Sequence, residues 1–549
     1  MSASSQSAGA AAPAATSRGV SGSAKRLTLV ATILGSSIAI LDGSVVSVAL
    51  PSIQRSLGGG LAGQQWVSNA YLLTLGSLIL LGGSLGDIFG ERRIFALGVG
   101  GFGATSLLCA LAPTIGLLVA FRALQGVAGA LLTPSSLALI VSMFPERERG
   151  PAIGTWTAWG TIAGALGPLV AGLILNVASW RWIFVINLPL VAACLWLIMR
   201  AVPRTTPSAT HRRVDVIGAL LGVLGLGGTV FALIEQPRLG WSNPAVAGSL
   251  IGGVTLFAAF LIYESRARDP MLKLDLFKSR NFAVGNVETL ALYGGLSALF
   301  FFLILYLQQV AGYSPLKAGL ALLPESIVMF ALSSRFGALA DRHGPRLFMG
   351  VGPLVAGAGM LMLLTVGVHV SYLTTVLPAI LIFSLGLSMT VAPLTAAVLA
   401  GVQESEAGIA SAVNNAVARV AGLIATVTVG ALVAAQFSAS LDESLKGRPL
   451  TKAGQAAVAE AKQLTLGRPS VAEVPPREAV AITAGSNAAS QDAFRVGIGV
   501  AGGLVILGGL IGAAGIRNPR RVVRAEHCNG GQLAGAPLDA AGLHAPASA

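Results

Sequence analysis

Fourteen stretches of about 20 mostly apolar residues run along the chain, divided by short polar segments, which is the length a helix needs to cross a hydrocarbon core. They begin near Leu29, Gln65, Ile94, Ile115, Ala152, Trp182, Val214, Val246, Phe282, Leu316, Leu347, Tyr372, Ala407 and Phe494. A lipid-exposed backbone must satisfy its own polar groups, so each stretch predicts an α-helix and the fold class is an all-α integral membrane protein. An even number of spans puts both termini on one side.

One polar hinge appears twice. Gly83-Ser-Leu-Gly-Asp-Ile-Phe-Gly-Glu-Arg-Arg93 follows the second span, and Gly337-Ala-Leu-Ala-Asp-Arg-His-Gly-Pro-Arg346 follows the tenth. Gly83, Leu85, Asp87 and Gly90 are thus matched by Gly337, Leu339, Asp341 and Gly344, as in a transporter built from an internal repeat. An offset of eight spans means that two are inserted between six-span halves, giving 6+2+6. The expected divisions are a disordered N-terminus over 1–26, a first half over 27–201 and a linker with the inserted pair over 202–265. A second half covers 266–516, with a long outer loop at about 436–491, and a disordered tail covers 517–549. Within the loop, Thr451 to Leu464 predicts one helix that can lie over the outer mouth as a lid, against the simpler reading of a solvated loop.

The chain is 54% hydrophobic and 11% charged, which excludes an ordinary soluble protein. Its net charge of +13 has no basic stripe or zinc-finger spacing beside it, so nucleic acid is not an expected partner. The placement of the basic residues accounts for it: 23 Lys/Arg lie in the segments on the side of the termini, against four (Arg55, Arg181, Arg238 and Lys317) in the short loops opposite. Such asymmetry puts the termini in the cytoplasm. Cys109, Cys194 and Cys528 imply no disulfide framework, and the first span is too long for a cleaved signal peptide.

The hinge resembles the signature between spans two and three of the major facilitator superfamily. Leu41-Asp42-Gly43-Ser44-Val45-Val46-Ser47-Val48-Ala49-Leu50-Pro51 is similar to the first-span motif of its fourteen-span drug:proton antiporters, the EmrB/QacA-like branch, with Ser44 and Ser47 replacing the usual Thr and Asn. Arg122-Ala-Leu-Gln125-Gly126, Trp180-Arg-Trp-Ile-Phe-Val-Ile-Asn187-Leu-Pro189, Tyr306-Leu-Gln308 and Gly312-Tyr-Ser-Pro315 extend the match. Gly154, Gly167, Pro168 and Gly172, with Ala163 and Ala171 in place of glycines, resemble the antiporter motif of span five. The resemblance implies the major facilitator fold and proton-coupled multidrug efflux of hydrophobic and cationic compounds across the inner membrane. It implies no cofactor beyond the proton gradient. Some relatives also require a periplasmic adaptor and an outer-membrane channel.

Asp42 falls near the bilayer midplane, where a bare carboxylate costs on the order of 2.5–3.5 kcal/mol, so it must be protonated, paired or facing water. It can cycle a proton between conformations or serve as a polar contact within the bundle. Arg122 always carries its charge and needs a partner. In the family this arginine assists proton transfer beside the first-span acid; a fixed Asp42–Arg122 ion pair is the alternative. Glu288 and Glu325 are substrate or proton candidates, Glu288 otherwise facing water near the cytoplasmic end, and Arg419 is a counter-charge for either. By resemblance Gly83, Asp87, Gly90, Arg92, Gly337, Asp341 and Gly344 form the cytoplasmic gate.

Gly98, Gly100 and Gly103 match a dinucleotide pattern but lie inside a span, where small residues serve helix packing. No phosphate-binding Gly-Lys-Ser/Thr loop, nucleophile–base pair or metal-ligand cluster appears, so a secondary transporter is expected and not an enzyme. Two other readings stay open: a dedicated exporter of one metabolite or antibiotic, and a nontransporting receptor or assembly factor on the same fold.

Overall fold

The computed structural model describes residues 22–202, 214–368, 370–400, 402, 407–467 and 469–518. Residues 1–21, 203–213 and 519–549, where most of the expected disordered ends and the linker fall, lie outside these. The first six spans are α1 (Gly22–Leu57), α2 (Gly60–Phe89), α3 (Glu91–Leu111), α4 (Ile115–Met143), α5 (Glu146–Val177) and a sixth in which one turn, α6 (Trp182–Val185), runs into α7 (Asn187–Ala201). Next come α8 (Val216–Leu239) and α9 (Pro244–Glu264). The last six spans are α10 (Arg280–Leu305), α11 (Pro315–His343), α12 (Pro345–Met362), α13 (Leu377–Ala400), α14 (Ala407–Leu445) and α16 (Pro476–Gly515), with the short α15 (Lys452–Leu464) before the last. Among the described residues, fourteen helices are long and apolar enough to cross a membrane. Below, the face at which α1 starts and α16 ends is the terminal face and the other the distal face.

Packing repeats between the two groups of six. α2 and α3 pack on α4 as α11 and α12 pack on α13, and α1 packs on α5 and α7 as α10 packs on α14 and α16. Glycine permits the closest of these contacts: a Cβ on Gly126 would stand 2.3 Å from the Tyr71 carbonyl oxygen, so α2 and α4 touch backbone to backbone. The hinges repeat too. Gly90 (φ 91°) and Gly344 (φ 87°) end α2 and α11 in a conformation that suits glycine and start the next helix one residue later. Arg92 donates to the Met199 carbonyl (3.2 Å) at the end of α7, and Arg346 to the Ala513 carbonyl (2.7 Å) at the end of α16, so each hinge arginine caps the sixth span of its own group.

The inserted helices α8 and α9 pack on each other, and α8 also leans on α2 and α14. Leu226, Val230 and Ile234 meet Leu73, Leu423 and Val427, so the pair covers the line along which the two groups meet.

The stretch expected as a long loop is largely helical. α14 runs on to Leu445 and α16 starts at Pro476, well before Phe494, so both project beyond a bilayer's thickness on the distal face. The helix expected between them forms with Thr451 as its N-cap. It is tied to its neighbours: Glu478 accepts from the Thr451 amide and hydroxyl (3.0 and 2.9 Å), Lys462 pairs with Asp442 (2.6 Å), and the Gln463 carbonyl sits against Gly60.

Candidate functional site

Asp42 is buried on α1, and four other spans contribute to the network around it. Its Oδ2 accepts from Arg122 Nη1, and its Oδ1 accepts from Gln125 Nε2 and Asn187 Nδ2, both at 3.0 Å. Gln125 follows Arg122 by three residues and so shares its face of α4, where its Oε1 accepts a second Arg122 bond at 2.7 Å. Arg122 Nε donates to the Val67 carbonyl of α2 at 3.1 Å, and its guanidinium lies over the Tyr71 ring, 4.4 Å from the centroid. Ser106 of α3 accepts from both Gln125 (2.9 Å) and Asn187 (3.2 Å). Asn187 opens α7 just where the sixth span restarts, and its side-chain amide reaches the carboxylate from there. The charge is fully paired and held by amides, as a buried ion pair requires.

The other predicted residues are dispersed. Glu288 is fully buried and does not face water: both carboxylate oxygens lack a hydrogen-bond partner, and the side chain is pressed toward Gly512 of α16 beside Met349 of α12. Glu325 bonds Ser326 next to it in sequence (3.0 Å). Arg419 packs against Gly76 of α2, with its Nε unpartnered. The expected counter-charge pairing of Arg419 with Glu288 or Glu325 is therefore not formed; helical phase aims the three side chains at different neighbours. On span five, Gly167 receives Ser44 of α1 and Gly172 receives Leu316 of α11, whereas Gly154 borders open space and makes no close contact. Gly83 faces Pro134 of α4 and Gly337 faces Ala392 of α13. Asp87 lies in the last turns of α2; the side chain of Asp341 lies outside the described residues.

Sequence reading passed over Gln125, Asn187, Ser106 and Tyr71 as site residues. The first two sat inside quoted motifs, and polar side chains on otherwise apolar faces were the available signal. It also passed over Asn414, which donates to Asn286 (3.1 Å) and Thr289 (2.8 Å) at the edge of a cavity of about 110 Å³ between α10, α13 and α14.

Contacts between the two groups gather toward the distal face. Gln308 donates to the Val48 carbonyl (2.9 Å), Gln309 to Gln54 (2.9 Å) and Gln65 to the Thr426 carbonyl (3.0 Å), while Gly172 and Gly319 seat α5 against α11. Gln308 and Gln309 lie in a π-turn, Tyr306–Val310, that continues α10 and aims both amides at α1. These three cross-group hydrogen bonds lie on the distal side of the molecule.

A family model described as Major Facilitator Superfamily matches residues 32–426. The chain belongs to the Major Facilitator Superfamily. The puromycin resistance protein of Streptomyces alboniger is 40% identical over 74% of this chain and 82% of its own length. The multidrug resistance protein Stp of Mycobacterium tuberculosis is 34% identical over 76% and 78%. The methylenomycin A resistance protein of Bacillus subtilis is 34% identical over 74% and 87%. Among solved structures, a bacterial homologue of the human lysosomal transporter Spinster superposes with a TM-score of 0.58 at 19% identity, covering 91% of this chain and 100% of that one. The D-xylose–proton symporter does so with 0.58 at 14%, covering 90% and 98%. At these identities the two superpositions speak for the major facilitator fold alone. The chain is thus a multi-pass membrane transporter of this superfamily and not an enzyme.

Proposed function

We propose that this protein is a proton-coupled antiporter that exports hydrophobic and cationic drugs by alternating access. The efflux part rests on relatives named for resistance and export. The coupling part is carried by one observation: Asp42 is a fully buried acid whose charge is balanced by Arg122 alone, in a cage of neutral amides. A proton arriving on Asp42 would cancel that charge and release Arg122, and loss of the proton would restore the pair. The basic asymmetry favours a cytoplasmic terminal face in the inner membrane. The conformation described is then inward-facing and deprotonated, with the outer face shut. In this reading the hinges meet the opposite half only after the terminal face closes, with Asp87 and Asp341 acting as latches.

The driving force suffices. One proton moving inward gains about 2.3 kcal/mol per 100 mV and about 1.4 kcal/mol per pH unit, enough for a tenfold or greater substrate gradient.

The test is ethidium transport in proteoliposomes under an imposed pH gradient. Wild type is expected to pump, while Asp42→Asn only equilibrates dye down its own gradient. Pumping by Asp42→Asn would overturn the role of Asp42, and absence of dye movement by wild type under any gradient would overturn the multidrug reading. A second reading, a dedicated exporter of one antibiotic, draws on relatives named for puromycin, methylenomycin A and tetracenomycin C. It predicts a narrow substrate panel with the same dependence on Asp42.

A further inference from the structure

A cavity of about 700 Å³ opens on the distal face, walled by the first turns of α2 and α4, the last turn of α8, the middle of α14 and the end of α15. We infer that this cavity binds an anionic phospholipid of the leaflet at that face, and that its occupant holds the face shut. The size suits a bound amphiphile.

The lower wall is apolar, from Val119, Ile234 and Ala434. The polar rim carries Glu235, Arg238 and Lys462, one acid against two bases. Glu235 is already spent: it accepts from the Trp66 indole N–H (3.0 Å) and from two nitrogens of Arg238 (3.0 and 2.8 Å). Arg238 is 61% exposed and keeps further donors, and Lys462 keeps donors beyond its bond to Asp442. The site therefore presents an apolar trough beneath a rim on which Arg238 and Lys462 keep cationic donors free while the carboxylates beside them, Glu235 and Asp442, are already taken, the complement of acyl chain and phosphate with no acceptor left for a headgroup cation. Its walls are the ends of spans, the depth at which a bilayer places its phosphates, and Trp66 stands where interfacial tryptophans gather. A membrane lipid is the amphiphile present there at the highest concentration.

Two more observations mark the cavity as a built feature. Thr465 on its wall and Leu466 beside it adopt left-handed backbone (φ 35° and 59°), a strained conformation for such residues that occurs at ligand clamps. The cavity also straddles the moving line: Gln65 of α2 and Gly430 of α14 both line it, and a Cβ on Gly430 would stand 1.8 Å from the Gln65 side-chain nitrogen. Separating α2 from α14 at the distal face divides the cavity, so an occupant binds only the closed arrangement and shifts the population toward it.

The experiment is thermal unfolding of the full chain in detergent, titrated with phosphatidylglycerol or phosphatidylcholine, so that binding is read without transport. Phosphatidylglycerol is expected to raise the melting temperature of wild type, with little effect of phosphatidylcholine. Arg238→Gln with Lys462→Gln should raise the half-saturating lipid concentration by about tenfold, the loss of roughly one charge contact. Ala434→Trp, which fills the trough, should abolish the shift; where that variant does not fold, Ser438→Trp blocks the mouth instead. In vesicles, phosphatidylglycerol should slow labelling of Val48→Cys from the distal face by an impermeant maleimide. Equal responses to the two lipids, or variants that respond as wild type does, would overturn the lipid site. So would stabilisation by free oleate with none by phosphatidylglycerol, which makes the occupant a soluble lipophilic acid. Unchanged labelling despite lipid binding would overturn the effect on the gate.

Discussion

Arg122 makes hydrogen bonds to Asp42, Gln125 and the Val67 carbonyl, and stacks on Tyr71. Removing one member of a buried ion pair strands the other, so Arg122→Ala should cost about 3–5 kcal/mol of stability. Arg122→Gln combined with Asp42→Asn should recover most of that loss relative to either single change, because no charge is left unpaired. Denaturant unfolding of the four proteins in detergent gives the coupling energy, and additive losses would mean that the two residues do not act as a pair. Gly126 matters for the same site. Gly126→Val would drive a side chain into the Thr74 hydroxyl and Tyr71 carbonyl and push α2 from α4. Overpacking of this kind should cost about 1–3 kcal/mol and pull Arg122 off Val67.

α10 illustrates how a span's ending can matter more than its length. The π-turn at Tyr306–Val310 places two consecutive glutamines against α1, one on the Val48 carbonyl and one on the Gln54 side chain, which also accepts from Gln64. These are neutral bonds, each worth about 0.5–1.5 kcal/mol net, strong enough to bias a gate and weak enough to break in each cycle. Gln308→Ala with Gln309→Ala should raise the rate of Val48→Cys labelling from the distal face several-fold without lowering stability by more than about 3 kcal/mol. An unchanged rate would leave α5 and α11, joined through Gly172 and Gly319, as the closure that counts.

Across the whole molecule, the two six-span groups meet along α2 with α14 and α5 with α11, and α8 covers the first of these lines. Rigid rocking about such contacts is the motion an internal repeat allows. A Cβ on Gly76 would stand 3.4 Å from the Cβ of Arg419, close to disulfide spacing. Gly76→Cys with Arg419→Cys should therefore cross-link under oxidation and stop transport, and reductant should restore activity to the level of the Arg419→Cys protein alone. Full activity in the oxidised, cross-linked protein would exclude separation of α2 from α14 during the cycle.

Runs of apolar residues are long enough to announce fourteen helices among the described residues because lipid forces each span to satisfy its own backbone, and the repeated hinge was legible because a helix-ending glycine and the arginine after it lie within a few residues of each other. Asp42 and Arg122 were legible because a charge inside a span is costly enough to demand a partner. What joined them was not legible: Asn187, Ser106 and Tyr71 come from three other spans and are neutral, so nothing in their own stretches requires a partner at that depth. Arg419, Glu288 and Glu325 seemed natural partners by charge alone, yet helix rotation and packing set each against different neighbours. The segment beyond Gln436 looked like a loop because it is polar; above the bilayer a helix needs no apolar face, and α14, α15 and α16 form there by capping and mutual contact. Which face is shut, and the cavity over the line that shuts it, are properties of how two bundles lean together, and only the tertiary structure decided them.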